Sequence, residues 1–286
     1  MRIKSGLEAL GAVLWFDNWP MLLLGRVFDR GTGLVVYRKR GLEILIDHRG
    51  GDPNGTRHCL ASSMYRKFLQ SFDLRGPVSV LDLGAMGGGF PLLMRIMGIE
   101  IGVAVCVEMN PQTYRRLLVN LSANLGPHCT GLNAAVCGMP ENSELFLKPS
   151  RGNSSFSMYA DRAEATGPHD TVRTTTLQAL LDRYFKDKMV DICKIDIEGA
   201  EYELFDSSPD ELLRRVRYLI VEFHDPVRTP VVIDRLTGLG FAAIQTDEQH
   251  NHDAKVKAFR GPDAALFSRE PSPGQSTTPA NLLRPV

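Results

Sequence analysis

Asp196, Glu222 and His224 each stand at the end of a short apolar run: Val190-Asp-Ile-Cys-Lys-Ile-Asp-Ile197 and Tyr218-Leu-Ile-Val-Glu-Phe223. Runs of this length and composition are predicted strands. In an open α/β sheet, ligands gather outside the C-terminal ends of such strands. A carboxylate or an imidazole placed there can take the proton of an acceptor hydroxyl. His224 suits that task because an ordinary imidazole titrates near neutrality. The same three residues form an O,O,N donor set suited to a hard or borderline divalent ion. Nothing in their spacing demands one, so no metal is expected and activity is expected to survive chelation. Lys194 and Asp196 lie two apart on one strand, so their side chains share a face and an ion pair is the plain structural alternative. Glu198 and Glu201 open the next helix, where carboxylates complement the N-terminal dipole.

A second stretch supplies a cradle rather than reactive groups. Val78-Ser-Val-Leu-Asp-Leu83 reads as a buried strand, Gly84-Ala-Met-Gly-Gly-Gly89 as a turn, and Phe90-Pro-Leu-Leu-Met-Arg-Ile-Met97 as a helix with Pro91 in its first turn. Strand, glycine turn and helix let a ligand approach bare backbone at a helix N-terminus. The next strand, Ile101-Gly-Val-Ala-Val-Cys-Val107, ends at Glu108, 20 positions beyond Gly88. An acid at that point accepts hydrogen bonds from ribose hydroxyls. The dinucleotide fingerprint needs glycine at its first, third and sixth positions; counted from Gly84, the third is Met86. A ligand with a ribose and no pyrophosphate therefore fits better. S-adenosylmethionine is such a ligand, with its carboxylate at the loop, its ribose on Glu108 and its ammonium within reach of Asp196.

The elements that must position these groups form one alternating series. The chain has 286 residues, with 33 Lys+Arg against 33 Asp+Glu. That balance gives no bulk field to attract nucleic acid or an anionic membrane. Five scattered cysteines without a Cys-x-x-Cys pair argue against a disulfide framework or a structural zinc site. They point to a reducing compartment, and a cytoplasmic location is expected. Residues 7–28 are apolar and helical in pattern, but Glu8, Asp17, Asn18 and Pro20 interrupt them, so no membrane span is expected. An amphipathic helix there can pack on the domain, on a second subunit or at a membrane surface, and packing is the reading adopted.

Residues 33–47 predict a hairpin turning at Lys39-Arg-Gly41, and 59–72 a helix covering the sheet. A helix over 111–125 and strands over 132–136 and 144–147 follow. Residues 149–170 form a long polar connection, the kind that binds substrate or is disordered. Later elements are a helix over 178–185, the two strands quoted first, a helix over 229–239, a strand over 241–244 and an antiparallel strand over 264–267. Residues 270–286 read as a disordered tail. The alternation implies a doubly wound α/β sheet. Three parts are predicted: an N-terminal extension over 1–72, the main domain over 73–270 and the tail over 271–286.

Taken together, Asp82-Leu-Gly-Ala-Met-Gly-Gly-Gly-Phe90, Glu108-Met-Asn-Pro111, Asn120, Asn133-Ala-Ala-Val136, Ser154-Ser155, Thr176-Leu177, Lys194-Ile-Asp-Ile-Glu-Gly-Ala-Glu201 and Val221-Glu-Phe-His224 resemble the FkbM family of methyltransferases. The likeness runs over about residues 78–240, in the family's order. Met86 departs from it, since asparagine is usual there, and so does Met109, where proline is usual. The resemblance implies a Rossmann-like class I sheet of seven strands, mostly parallel with the last antiparallel. It implies S-adenosylmethionine as cofactor, held by Asp82, Gly84, Ala85, Gly88, Glu108, Ala135 and Asp196. It implies methyl transfer to a hydroxyl of a sugar, polyketide or other natural product, near Ser154, Ser155 and Glu198. The partner expected is a small-molecule or glycan acceptor, not nucleic acid. Two other readings stay open: a nicotinamide-dependent oxidoreductase, against which the broken fingerprint counts, and a binding protein of the same fold without turnover.

Overall fold

The computed structural model describes residues 11–28, 33–245 and 255–262. The expected strand over 264–267 and the expected tail lie outside these residues.

The first described helix, α1 (Trp19–Phe28), leads into a hairpin of β1 (Leu34–Lys39) and β2 (Leu42–Asp47). Arg40 and Gly41 both have positive φ, 48° and 82°. Two such residues make the tight turn whose twist matches antiparallel strands, which is why Lys39 pairs with Leu42. Val13, Phe16 and Leu22 of the N-terminal segment are buried against the core, as are Tyr37, Ile44 and Ile46 of the hairpin. The covering helix expected over 59–72 is two helices, α2 (Thr56–Ala61) and α3 (Ser63–Ser71). Ser62 breaks them because its hydroxyl caps the second, accepting from the Tyr65 amide at 3.3 Å.

Among the described residues the main sheet has nine strands. In chain order they are β3 (Val78–Leu83), β4 (Ile101–Glu108), β5 (Cys129–Val136), β6 (Glu144–Leu147), β7 (Asp170–Thr175), β8 (Val190–Ile195), β9 (Val216–Glu222), β10 (Ala242–Ile244) and β11 (Val256–Arg260). Their spatial order is β10-β11-β9-β8-β3-β4-β5-β7-β6. The strands from β9 to β7 in that order run parallel; β11 is antiparallel to β9 and to β10, and β6 to β7. The doubly wound reading holds, with two differences. The antiparallel strand beside β9 is Val256–Arg260, where Val256 and Ala258 alternate inward. The expected strand over 144–147 forms the edge as β6, but one unexpected strand, Asp170–Thr175, stands between it and β5. Its polar Asp-Thr-Val-Arg-Thr-Thr sequence hides the alternation that buries Val172 and Thr174.

From β3 the chain winds outward through β4 and β5; from β8 it winds the other way through β9. The reversal opens a crevice at the C-terminal ends of β3 and β8. Helices α4 (Gly89–Ile96) and α5 (Pro111–Asn124), with the N-terminal elements, cover one face. Helices α6 (Leu177–Leu180), α7 (Glu201–Ser207), α8 (Asp210–Leu213) and α9 (Thr229–Gly238) cover the other. The helix expected over 178–185 finishes in a π turn, Leu181–Phe185. Strand alternation sorts the side chains: Val80, Ile192 and Ile220 enter the first core, and Leu81, Cys193 and Leu219 the second. Asp82, Lys194 and Glu222 share the parity of the first group, so they face α2 and α3.

Candidate functional site

Asp82 pairs in register with Lys194 across β3 and β8. Parallel register puts both side chains on one face, and Lys194 Nζ lies 3.5 Å from Asp82 Oδ1. Lys194 also reaches Asp196 Oδ2 and the Gly84 carbonyl, each at 3.3 Å. The ion pair expected from the strand period is present. Burial alone would lower the Lys194 pKa, but Asp196 and Asp82 hold it well above the ordinary ammonium value. Asp82 is fully buried, and among the described residues its carboxylate is answered only by the Lys194 ammonium at 3.5 Å, which it shares with Asp196. Desolvation raises its pKa despite Lys194.

The glycine turn is built differently from what its sequence suggests. Every backbone N–H from Gly84 to Gly88 already has a protein acceptor: Val107 O for Gly84 and Ala85, Glu108 Oε2 for Met86, Thr56 Oγ1 for Gly87 and Ala85 O for Gly88. The glycines serve close packing. A Cβ on Gly84 would lie 1.7 Å from the Asp196 carbonyl oxygen, and one on Gly89 2.7 Å from the Thr56 carbonyl. Met86 has φ 48°; asparagine, the residue the resemblance leads one to expect there, adopts that left-handed conformation more readily.

Glu108 is buried at the tip of β4. Its Oε1 accepts from the Asn110 amide at 2.7 Å and its Oε2 from the Met86 amide at 3.0 Å. Burial pushes its pKa up to about 7 against the lowering effect of those two donors. Each carboxylate oxygen keeps a second lone pair for a ligand hydroxyl.

His224 sits among four carboxylates. Its Nδ1–H donates to Glu201 Oε1 at 2.9 Å, and its Nε2 lies 3.3 Å from Glu198 Oε2 and 3.7 Å from Glu222 Oε1. Asp196, Glu198 and His224 place one ligand-capable atom each within 4.8 Å of one another. Burial alone would lower the His224 pKa, but the bond to Glu201 and the charges of Glu201, Glu198 and Asp196 raise it to about 9. The imidazole is therefore cationic at neutral pH, and the near-neutral titration expected from the sequence does not hold. Burial raises Glu198 to about 7 and raises Glu222 as well. Glu201 is fully buried at the start of α7, where its carboxylate accepts from the Ile197 amide at 3.1 Å and the Gly199 amide at 2.9 Å. It ties the β8–α7 turn to His224, a role its sequence position did not reveal. Glu198 holds φ 51°, with its carbonyl fixed by the Ser157 hydroxyl at 2.8 Å.

All of these titratable groups except His224 and Glu201 line one crevice with two adjoining recesses. The first is bounded by Glu108, Met109, Ala134, Ala135, Phe156 and Met158, and the second by His58, Tyr65, Asp82, Ala85, Lys194 and Glu222; Gly84, Met86, Ser154, Asp196 and Glu198 line both. The first is mostly apolar and suits a planar base with a ribose on Glu108. The second is rich in titratable groups. Ser155 lines the second recess with Ser154. Gly88 does not reach either recess; it caps α4 in the left-handed region, φ 84°, against Leu117. Residues 150–158 are held over the crevice by Arg116, whose guanidinium binds Asp52 at 2.8 and 3.0 Å and the Arg151 carbonyl at 3.1 Å. Thr56 and Asn120 brace the glycine turn from outside it, through Gly87 N and Gly87 O. Neither carried a local signal of that role.

The profile of the methyltransferase FkbM domain matches residues 82–242, more than half of the chain. No curated protein matches it. Among solved structures, the M. jannaschii tRNA m1G37 methyltransferase is similar at 10% identity and TM-score 0.44, over 81% of this chain and 57% of that one. The FkbM methyltransferase of Methylobacillus flagellatus KT is similar at 12% identity and TM-score 0.43, over 72% of this chain and 53% of that one. The precorrin-6y C5,15-methyltransferase of Geobacter metallireducens GS-15 is similar at 13% identity and TM-score 0.39, over 69% and 87%. The chain thus spans little more than half the length of the first two. It belongs to the FkbM family of S-adenosylmethionine-dependent methyltransferases.

Proposed function

We propose that this enzyme methylates a hydroxyl of a small-molecule or glycan acceptor. The observation that carries the reading is the shared wall of Gly84, Met86, Ser154, Asp196 and Glu198 between an apolar recess and a charged one. A cofactor in the first recess presents its methyl group at that wall, and an acceptor enters the second. Glu108 holds the ribose, Ala135 flanks the base, and the turn at Gly84 and Ala85 shapes the floor, while Gly88 only caps the following helix. Asp82, buried and sharing the Lys194 ammonium with Asp196, takes the methionine ammonium, with Asp196 beside it. Ser154, Ser155 and Glu198 hold the acceptor. Its oxygen attacks the methyl carbon in line with sulfur, the carbon–sulfur electron pair stays on sulfur, and S-adenosylhomocysteine leaves. Such a displacement needs alignment and exclusion of water more than covalent help. The proton goes to a carboxylate of the Asp196–Glu222 edge, with cationic His224 orienting that edge. The absence of a net charge on the chain favours a small acceptor over nucleic acid. Five free thiols favour the cytoplasm; no helix among the described residues is long and apolar enough to cross a membrane.

The test is an untargeted comparison of metabolites and glycans from cells with and without the gene. A species one methylene heavier should vanish without it and stay absent with His224→Ala. Full restoration by His224→Ala would remove the charged recess from the reaction.

Glu108 gives a test that needs no acceptor. A charge-assisted hydrogen bond contributes about 1.5–3 kcal/mol, so Glu108→Ala should weaken S-adenosylhomocysteine binding roughly ten- to a hundred-fold by calorimetry. The ribose hydroxyls donate to the ionised form, whose pKa lies at about 7 in the free protein. Wild-type affinity should therefore fall as pH is lowered from about 8 to about 6, while the Glu108→Ala variant shows less of that dependence. The stability sign is opposite: a buried acid with a raised pKa destabilises the free fold progressively as pH rises through about 7. Equal affinities in mutant and wild type would place the ribose elsewhere.

A further inference from the structure

We infer that Asp196, Glu198 and His224 form a binding site for a divalent transition ion of the Mn2+ type, with Glu222 beside it. Sequence spacing demanded no metal; the tertiary structure supplies what spacing lacked. One atom from each of the three residues falls within 4.8 Å of the others. The imidazole, cationic in the free protein, becomes a ligand when the ion displaces its Nε2 proton, so ion binding weakens as pH falls. Glu201, fully buried, accepts from Nδ1 at 2.9 Å, so Nε2 is the nitrogen turned toward Glu198 and Glu222. A ligating histidine is ordinarily oriented by such a carboxylate on its other nitrogen. Glu198 reaches the cluster from a left-handed backbone, φ 51°, and its carbonyl is pinned by Ser157. Non-glycine residues keep that conformation where the surroundings over-determine it, and such sites cluster at function.

A second observation lies outside the ligand set. Asp82 is completely buried, lines the same recess and has among the described residues only the Lys194 ammonium, 3.5 Å away and shared with Asp196, to answer its charge. Among the described residues, Asp82, Asp196, Glu198, Glu201 and Glu222 join one ion-pair network with Lys194 and His224 at this edge. The methionine ammonium answers Asp82, which leaves Asp196, Glu198 and Glu222 in excess on the acceptor side. Two carboxylates and one imidazole suit Mn2+ or Fe2+ better than Mg2+, which prefers oxygen alone, or zinc, which prefers thiolate and imidazole. Three protein ligands leave coordination positions open toward the acceptor. An acceptor hydroxyl bound there loses its proton to Glu222 as its oxygen attacks the methyl carbon; no electron is transferred to the ion. That role rests on the methyltransferase reading above, whereas the ion's binding does not.

The test uses the full chain, stripped with chelator and titrated with MnCl2, free Mn2+ being read by electron paramagnetic resonance. One saturable Mn2+ per chain is expected. Glu198→Gln and His224→Ala should abolish it, Glu201→Gln should weaken it roughly ten- to a hundred-fold, and Glu43→Gln at the surface should leave it unchanged. S-adenosylhomocysteine binding by each variant checks that the fold is intact. No saturable Mn2+ binding by the wild type, or equal binding by folded Glu198→Gln and His224→Ala, overturns the site. S-adenosylhomocysteine binding without Mn2+ binding would do so while leaving the methyltransferase reading intact.

Discussion

Gly84→Ala is expected to destabilise the protein by about 4 kcal/mol or more and to abolish S-adenosylhomocysteine binding, an effect in the exceptional range for one substitution. Gly84 has φ +76°, and a Cβ there would meet the Asp196 carbonyl oxygen at 1.7 Å and its carbon at 2.7 Å. Neither partner can retreat. Gly84 N donates to Val107 O at 3.0 Å and Asp196 N to Leu83 O at 3.0 Å, so the turn is pinned between β3, β4 and β8. The added methyl must separate the tips of β3 and β8, where Asp82, Lys194 and Asp196 meet. Gly98→Ala is the matched control. Its φ is +82° with nothing within 4 Å of the added carbon, so only the left-handed penalty of about 1–2 kcal/mol applies. Urea denaturation of both variants, with calorimetry of S-adenosylhomocysteine, separates clash from backbone strain. Equal losses in the two would refute the close approach as the reason for glycine at position 84.

Arg116→Ala should destabilise by about 3–5 kcal/mol, because it leaves a buried charge without its partner. Asp52 is fully buried and Asp47 nearly so. Arg116 binds Asp52 through Nε and Nη2 and lies 3.7 Å from Asp47 Oδ2. Arg151 also holds Asp47, at 2.6 Å, so Asp52 is the group left uncompensated. Its pKa is raised by desolvation even with the arginine present. The deficit should therefore shrink as pH falls, because Asp52 without its arginine takes up a proton more readily in the folded variant than in wild type. A second signature separates this latch from a generic core defect. Arg116 also fixes the Arg151 carbonyl, Gly50 O and Thr113 Oγ1, and so anchors the segment that brings Ser154, Phe156 and Met158 to the crevice. S-adenosylhomocysteine affinity should fall even where the variant remains fully folded. The double variant Arg116→Met, Asp52→Leu should recover most of the stability without recovering the anchor. A single variant as stable as wild type at neutral pH would show that the pair contributes nothing net.

What the sequence determined by itself is the winding of the sheet and the edge at which its chemistry stands. Short apolar runs alternating with helical periods admit few topologies, and chain chirality excludes most of those. Asp196, Glu222 and His224 were legible as an edge cluster because each ends a run whose core is plainly apolar. Glu108 was legible for the same reason. The Lys194–Asp196 pair followed from the two-residue strand period alone.

The tertiary structure decided what no local pattern encodes. Glu201 looked like a dipole-complementing acid at a helix start; only the approach of β9 to α7 makes it the partner of His224. The charge on His224 depends on Glu201, Glu198 and Asp196, drawn from a helix start, a turn and another strand's end, so its pKa cannot be read from its neighbours in sequence. Thr56 and Asn120 brace the glycine turn from 31 and 33 residues away. The glycines read as a ligand cradle, yet their amides are already bonded and their missing side chains make room for protein backbone. Asp170–Thr175 became a strand because β5 offered it an open edge, and its polar sequence could not announce that. Strand ends and strand parity are properties of one chain segment. Carboxylate charge, latch geometry and the close approach at Gly84 arise only where distant segments share a few ångströms of space, which is where the choice of residue at each position is made.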